Sequence, residues 1–191
     1  MKIQNTIILS LLVIGLMSCK GEAPDNAETE PVQTHGDLVS RGEYLVTVIG
    51  CADCHTPKKM TDKGPVIDMD RYMMGYDASQ ALPEIPENVP LGPWIVFNGE
   101  LTAAAGPWGV SYAGNLTPHG TGIGNWSLEQ FGKALREGKY KGLDNSRPIM
   151  PPMPVEGFKH LTDDDLEAIF MYLKSLKPID NVVPAYRPPA S

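Results

Sequence analysis

The sequence predicts a mainly α-helical domain carrying one irregular, Pro/Gly-rich insertion that holds a short β-hairpin. Apolar residues recur at helical spacing at Leu166, Ile169, Phe170, Leu173 and Leu176, and again at Leu128, Phe131 and Leu135. Both runs open on a capping residue. Over residues 56–114 that periodicity fails, and prolines and glycines interrupt the chain.

The chain has 191 residues, 42% of them hydrophobic, enough for one globular domain with a core of its own. It begins with Met1-Lys2 and an apolar run from Thr6 to Met17. Spanning a bilayer takes about 20 apolar residues, so this run reads as the core of a secretory signal over residues 1–18. The run ends Leu16-Met17-Ser18-Cys19, which resembles the lipobox of bacterial lipoproteins. That resemblance implies cleavage before Cys19, a lipid anchor on Cys19, and a bacterial membrane lipoprotein facing the periplasm. It does not distinguish inner from outer membrane.

Residues 19–37 follow with no apolar periodicity, one Lys, and the acids Glu22, Asp25, Glu28, Glu30 and Asp37. Such a segment does not repay its ordering entropy and reads as a flexible acidic tether. The whole chain carries a formal charge of −7. About half of the acidic excess belongs to the tether, which leaves the folded part without a strongly charged docking face. No run of Lys and Arg exists, which excludes nucleic acid as a partner on electrostatic grounds.

The domain proper is expected over 38–191, with the insertion at 56–114 and a C-terminal tail at 179–191. Its first helix is read from Leu38 to Gly50, with Leu38, Leu45, Val48 and Ile49 apolar. Within the insertion, Trp94-Ile95-Val96-Phe97 followed by Asn98-Gly99 predicts the hairpin. Ser127 and Gln130 have the spacing of a capping box and open the next helix, for which Gly138 is a stop. Thr162 caps the last helix. Asp163, Asp164 and Asp165 suit its positive end, Lys174 and Lys177 lie near its negative end, and Pro178 follows.

The chemistry lies in Cys51-Ala52-Asp53-Cys54-His55. In a C-x-x-C-H, two thiols one helical turn apart can reach the two vinyl groups on one edge of a porphyrin, and the next imidazole can reach its iron. The motif therefore predicts one covalent haem c on Cys51 and Cys54, with His55 as an iron ligand. A ligating imidazole gives its other N–H to an acceptor, and the Pro65 carbonyl is one candidate. A zinc site would need further ligands close by, but His35, His119 and His160 are scattered singly. A dithiol oxidoreductase would show a βαβ context, and none is visible. A purely structural cysteine pair gives no reason for the adjacent histidine.

The sixth ligand is sought among nine methionines. Met1 and Met17 lie in the signal, Met171 on the terminal helix, and Met60, Met69, Met73 and Met74 in the insertion. Met150 and Met153 differ, because Pro148, Pro151, Pro152 and Pro154 surround them. These prolines forbid helix and central strand and leave a stiff, extended loop. A neutral thioether binds weakly and gains from being held, so Met153 is preferred as the ligand, with Met150 as the alternative. Methionine ligation raises the reduction potential relative to two histidines.

Several motifs occur together. Asn115-Leu116-Thr117-Pro118, Thr121-Gly122-Ile123-Gly124-Asn125-Trp126-Ser127 and Ala134-Leu135-Arg136-Glu137-Gly138 lead to Pro152-Met153-Pro154 and then Leu161-Thr162-Asp163-Asp164-Asp165-Leu166. From about Gly42 to Pro178 the chain resembles class I-like cytochromes c and the cytochrome c subunits of bacterial membrane dehydrogenases. The resemblance implies a cytochrome c-type helical fold around one haem, periplasmic electron transfer, and iron ligation by the methionine at position 153. It also implies that Asn115 and Trp126 lie near the haem propionates. His119 departs from the pattern, which usually has an acidic residue there, and it keeps a bis-histidine alternative open.

The expected role is a membrane-anchored monohaem electron carrier rather than an enzyme. Its partners would be a redox donor and acceptor, such as a dehydrogenase or a terminal oxidase. One alternative is a docked electron-transfer subunit of a dehydrogenase complex. Another is a haem enzyme or gas sensor with an open sixth position, which the absence of any run resembling a distal acid–base pocket disfavours.

Overall fold

The computed structural model describes residues 34–82 and 93–189. The signal-like segment, Cys19 and the tether up to residue 33 lie outside the described residues. The elements run α1 (His35–Ile49), α2 (Cys51–His55), β1 (Lys58–Thr61), β2 (Gly64–Ile67), β3 (Val96–Phe97), β4 (Ala103–Gly106), β5 (Gly109–Tyr112), α3 (Leu128–Arg136), α4 (Val155–Phe158) and α5 (Asp163–Ser175). Among the described residues there are thus five helices and two small sheets. Helix outweighs strand as expected, but the insertion is organised rather than irregular. No described helix is long and apolar enough to cross a membrane.

Helix α1 begins at His35 rather than Leu38, because Thr34 and Asp37 form a complete capping box. The Thr34 hydroxyl accepts from Asp37 N at 3.2 Å, and Asp37 Oδ2 accepts from Thr34 N at 3.0 Å. The box expected at α3 is only half made. Ser127 Oγ accepts from Gln130 N at 3.1 Å, but the Gln130 amide turns away to Lys141 O at 2.8 Å. Helix α5 is capped by Thr162 as expected, through Asp165 N at 3.1 Å.

Helices α1 and α5 cross at contact distance. A Cβ on Gly42 would sit 2.0 Å from Ala168 O and 2.7 Å from Tyr172 Cβ, so only glycine permits this crossing. Around it the core collects Leu45, Val46, Leu166, Ile169 and Leu173, and α3 adds Phe131, whose ring lies 5.2 Å from that of Phe170. Burying these side chains contributes roughly 1.5–3 kcal/mol each relative to exposure.

In the insertion, β1 and β2 form an antiparallel hairpin in the register Lys58↔Ile67 to Thr61↔Gly64. Below it Asp68, which is buried, accepts from Lys59 Nζ at 2.7 Å and Arg71 Nε at 2.6 Å, and Arg71 reaches Asp77 at 2.8 Å. The hairpin expected around 94–99 is present, but only Val96 and Phe97 are strand, and they pair with β4 across a turn at 98–102. A second hairpin, β4–β5, completes a three-stranded antiparallel sheet in the order β3-β4-β5. The tail folds back on this sheet, since Val110 and Arg187 exchange backbone hydrogen bonds at 2.8 and 3.0 Å.

Candidate haem-attachment site

Gly50 is the C-cap of α1 and the N-cap of α2 at once, with a φ of 80°. Its left-handed backbone ends one helix and starts the next without a spacer, and this sets the cysteine turn directly on the end of α1. Cys51 and Cys54 lie one turn apart on α2, half-buried, with both thiols free. Burial pushes the Cys51 thiol up to about 11 and moves Cys54 in the same direction. A dithiol oxidoreductase needs the opposite, a lowered thiol. Among the described residues, no three His, Cys, Asp or Glu side chains converge to hold a metal ion, so the zinc alternative gains nothing from the fold.

His55 is buried, and its Nδ1 donates to Gly114 O at 2.8 Å. Nδ1 is thereby occupied, which leaves Nε2 as the nitrogen with a free lone pair. Burial also pushes the imidazole below its ordinary pKa, against the opposing pull of the Gly114 carbonyl, and so favours the neutral form that a metal needs. The acceptor is not Pro65. That residue pairs with Met60 on the exposed β1–β2 hairpin, whereas the segment leaving β5 runs back beside α2 and brings Gly114 to the ring.

Gly75 makes this approach possible, and the sequence reading missed it. Its N–H donates to His55 O at 2.8 Å, its φ is +77°, and a Cβ there would lie 2.5 Å from Gly114 O, the same atom that receives the imidazole N–H. The signal available was a lone glycine after two methionines, which is too common to single out. Thr56, fully buried, accepts from Met73 N at 3.1 Å, and Lys58 Nζ donates to Asp53 O at 2.5 Å and Thr56 O at 2.8 Å. The two Lys58 bonds satisfy carbonyls that a short helix leaves unpaired at its end, while the Thr56 hydroxyl takes the Met73 N–H.

The methionines separate by burial. Met60 and Met69 are exposed, Met73 and Met74 are buried, with Met73 in the core, and Met171 packs against that core. Met150 and Met153 remain, both half-buried in the proline loop between α3 and α4. Asn115 is buried, and its amide is engaged within the protein. Its Oδ1 accepts from Thr117 N at 2.9 Å and Oγ1 at 2.8 Å, while its Nδ2 donates to Ile179 O at 2.9 Å and Thr121 Oγ1 at 3.2 Å. The Asn115 side chain thus ties the 115–121 loop to the chain beyond α5. Trp126 is half-buried against the core. His119 Nδ1 is held by Thr121 Oγ1 at 2.9 Å and stands 3.5 Å from Asp180.

The donor set fits a covalently bound haem. Two unpaired thiols sit one turn apart, a buried neutral imidazole with one committed nitrogen follows directly, and a half-buried thioether loop lies elsewhere in the same unit.

No family model matches the chain. Among curated proteins, it is 31% identical over 155 residues to the fructose dehydrogenase cytochrome subunit of Gluconobacter japonicus, covering 80% of this chain and 24% of that protein. It is 30% identical over 162 residues to the gluconate 2-dehydrogenase cytochrome c subunit of Pantoea cypripedii, with 84% and 26% covered. Against the cytochrome c subunit of the quinone alcohol dehydrogenase of Gluconobacter oxydans the figures are 28% over 144 residues, with 74% and 22% covered. The chain spans about a quarter of the length of these relatives. Over most of its own length, this chain is similar to the cytochrome c subunits of bacterial dehydrogenases.

Proposed function

We propose that the chain is a c-type electron-transfer protein serving a dehydrogenase, with one haem c bound through Cys51 and Cys54 and held by His55 and Met153. The observation that carries this reading is the buried His55 imidazole, fixed by Gly114 directly after the two free thiols. When bound, the haem supplies an iron that exchanges a single electron without binding substrate.

The protein's own residues do the rest. Cys51 and Cys54 fix one porphyrin edge to α2. Donation from Nδ1 to Gly114 locks the His55 ring and makes the other nitrogen a stronger ligand. Met153, or Met150 in its place, offers a neutral sulfur that favours the reduced state more than a second histidine would. Asn115 keeps the 115–121 loop in shape, and Trp126 is the candidate donor to a propionate.

The dehydrogenase role is supported by the relatives, each a cytochrome subunit by name. A second reading, a membrane-tethered shuttle moving between donor and acceptor, is favoured by Cys19 after its apolar run and by the acidic stretch that follows. Both readings place the domain on the periplasmic side of a membrane.

The test is an optical spectrum of the purified protein, denatured and reduced in alkaline pyridine. Two thioether bonds and one haem per chain are expected. Cys51→Ala with Cys54→Ala should abolish covalent haem, and Met153→Ala should remove the sulfur-to-iron charge-transfer band of the oxidised protein. A haem-free wild type would end the proposal, and a band lost only in Met150→Ala would move the ligand to Met150.

A further inference from the structure

The proline loop that carries Met150 and Met153 has a physical problem. Pro148, Pro151, Pro152 and Pro154 have no N–H, so between 148 and 154 only Ile149, Met150 and Met153 have backbone donors. Ile149 N uses its donor on Gly138 O at 2.6 Å. A loop so poor in donors has to be held through its carbonyls, by a donor brought from elsewhere.

The β4–β5 hairpin brings one. Ser111, buried on β5, donates its hydroxyl to Pro151 O at 2.5 Å across a separation of forty positions. A hydroxyl proton can rotate, and Ala104 O at 3.4 Å is the competing acceptor. The shorter contact favours Pro151, and Trp108 holds the hydroxyl oxygen in place, because its indole N–H donates to Ser111 Oγ at 3.2 Å and takes one lone pair. The indole is itself held on both sides. Its ring lies over Gly106, where a Cβ would come within 2.5 Å of it, and the Tyr186 hydroxyl of the tail donates to the Trp108 carbonyl. Arg147, at the start of the loop, stacks on Tyr140 at 3.8 Å and lies 5.3 Å from the Tyr186 ring, so the tail also touches the loop directly.

We propose that Trp108 and Ser111 form a positioning relay that holds the axial-methionine loop against the small sheet and keeps the sulfur from being displaced by outside ligands. This rests on the proposed methionine ligation. Neither residue would be an iron ligand; Trp108 acts on Ser111, and Ser111 acts on the loop through Pro151 O. The insertion then has a specific task, since its sheet anchors the loop on which the sixth ligand sits.

The experiment titrates imidazole into the oxidised, haem-loaded full chain and follows the shift of the main haem absorption band, together with loss of the sulfur-to-iron band where that band is present. Ser111→Ala should raise the apparent imidazole affinity about five- to tenfold, the scale of one lost hydrogen bond. Trp108→Phe keeps a ring on Gly106 but loses the N–H, and should raise it about two- to threefold. The double variant should equal Ser111→Ala alone, because both changes act on one bond. Val110→Ala, on the same strand but without a side-chain bond to the loop, controls for loss of stability and should leave the affinity unchanged. If Ser111→Ala fails to load haem, Trp108→Phe decides alone. Equal affinities for wild type and these variants overturn the relay. If Met150→Ala and Met153→Ala also leave imidazole binding unchanged, the methionine ligation itself is wrong and the relay falls with it.

Discussion

At the scale of single residues, the two thiols and the histidine stand out because five consecutive residues bring them together, and the structure sets all three on one short helix. The partner of His55 does not stand out, since Gly114 lies far along the chain and a backbone carbonyl leaves no mark in a sequence. Asp68 was equally hidden, as one acid among twenty-three acidic residues. Burial alone would push its carboxyl up. The Lys59 and Arg71 donors outweigh that and hold it at about 2, below the ordinary 3.8. A depressed carboxylate stabilises the fold above its unfolded pKa, and the contribution disappears as pH falls through the folded one. Between pH 4 and about 2 the protein should therefore lose roughly 1–2 kcal/mol from this group, allowing for screening at half-exposed Lys59. Asp77, lowered against its own burial by hydrogen bonds from Ser79 and then Arg71, titrates in the same direction. Asp68→Asn should be less stable at neutral pH but lose less on acidification, as thermal melts at successive pH values would show. Parallel pH profiles for the two proteins would remove Asp68 from the account.

At the scale of elements, the helices with caps and stripes were read correctly in kind and nearly in extent. Helix α5 has both signals and begins after Thr162 as expected. Helix α1 begins earlier than its apolar residues indicate, because Thr34 and Asp37, in a stretch whose composition reads as tether, cap it. The strands were harder. Strand β4 is Ala-Ala-Ala-Gly, residues of low strand propensity that are all buried, so packing rather than preference makes it a strand. The α1–α5 crossing was also invisible as a pair, although a glycine inside a helical pattern is a general hint of close approach. Gly42→Ala tests that crossing. The added methyl meets Ala168 backbone and Tyr172 at once, neither of which can yield like the end of a flexible side chain. The expected cost is about 2–3 kcal/mol, or a melting temperature lower by roughly 4–12 °C. Gly36→Ala, where the nearest atom would be Thr34 Oγ1 at 3.7 Å, should cost far less. Equal melting points for Gly42→Ala and wild type would mean that the helices do not meet at this residue.

At the scale of the whole molecule, the two proposed roles make different demands on the same domain. A docked subunit depends on a specific surface and gains little from a leash, whereas a shuttle depends on staying near its donor while turning between partners. Helix α1 starts at His35, so the proposed tether shortens to residues 19–34. In the shuttle reading, a flexible linker of that length would reach roughly 20–24 Å and would hold the domain near a membrane at an effective concentration of order millimolar. Cys19→Ser, which removes only the lipid site, should release the protein from washed membranes. For a shuttle present at micromolar concentration, electron transfer from a membrane dehydrogenase should then fall about a hundredfold or more, while reduction of a soluble acceptor stays unchanged. For a docked subunit, the variant should still co-purify with the catalytic subunit, and turnover should hold. A protein that remains in the membrane fraction after Cys19→Ser would remove the lipid anchor from both readings, and the dehydrogenase interface would then have to provide the membrane attachment by itself.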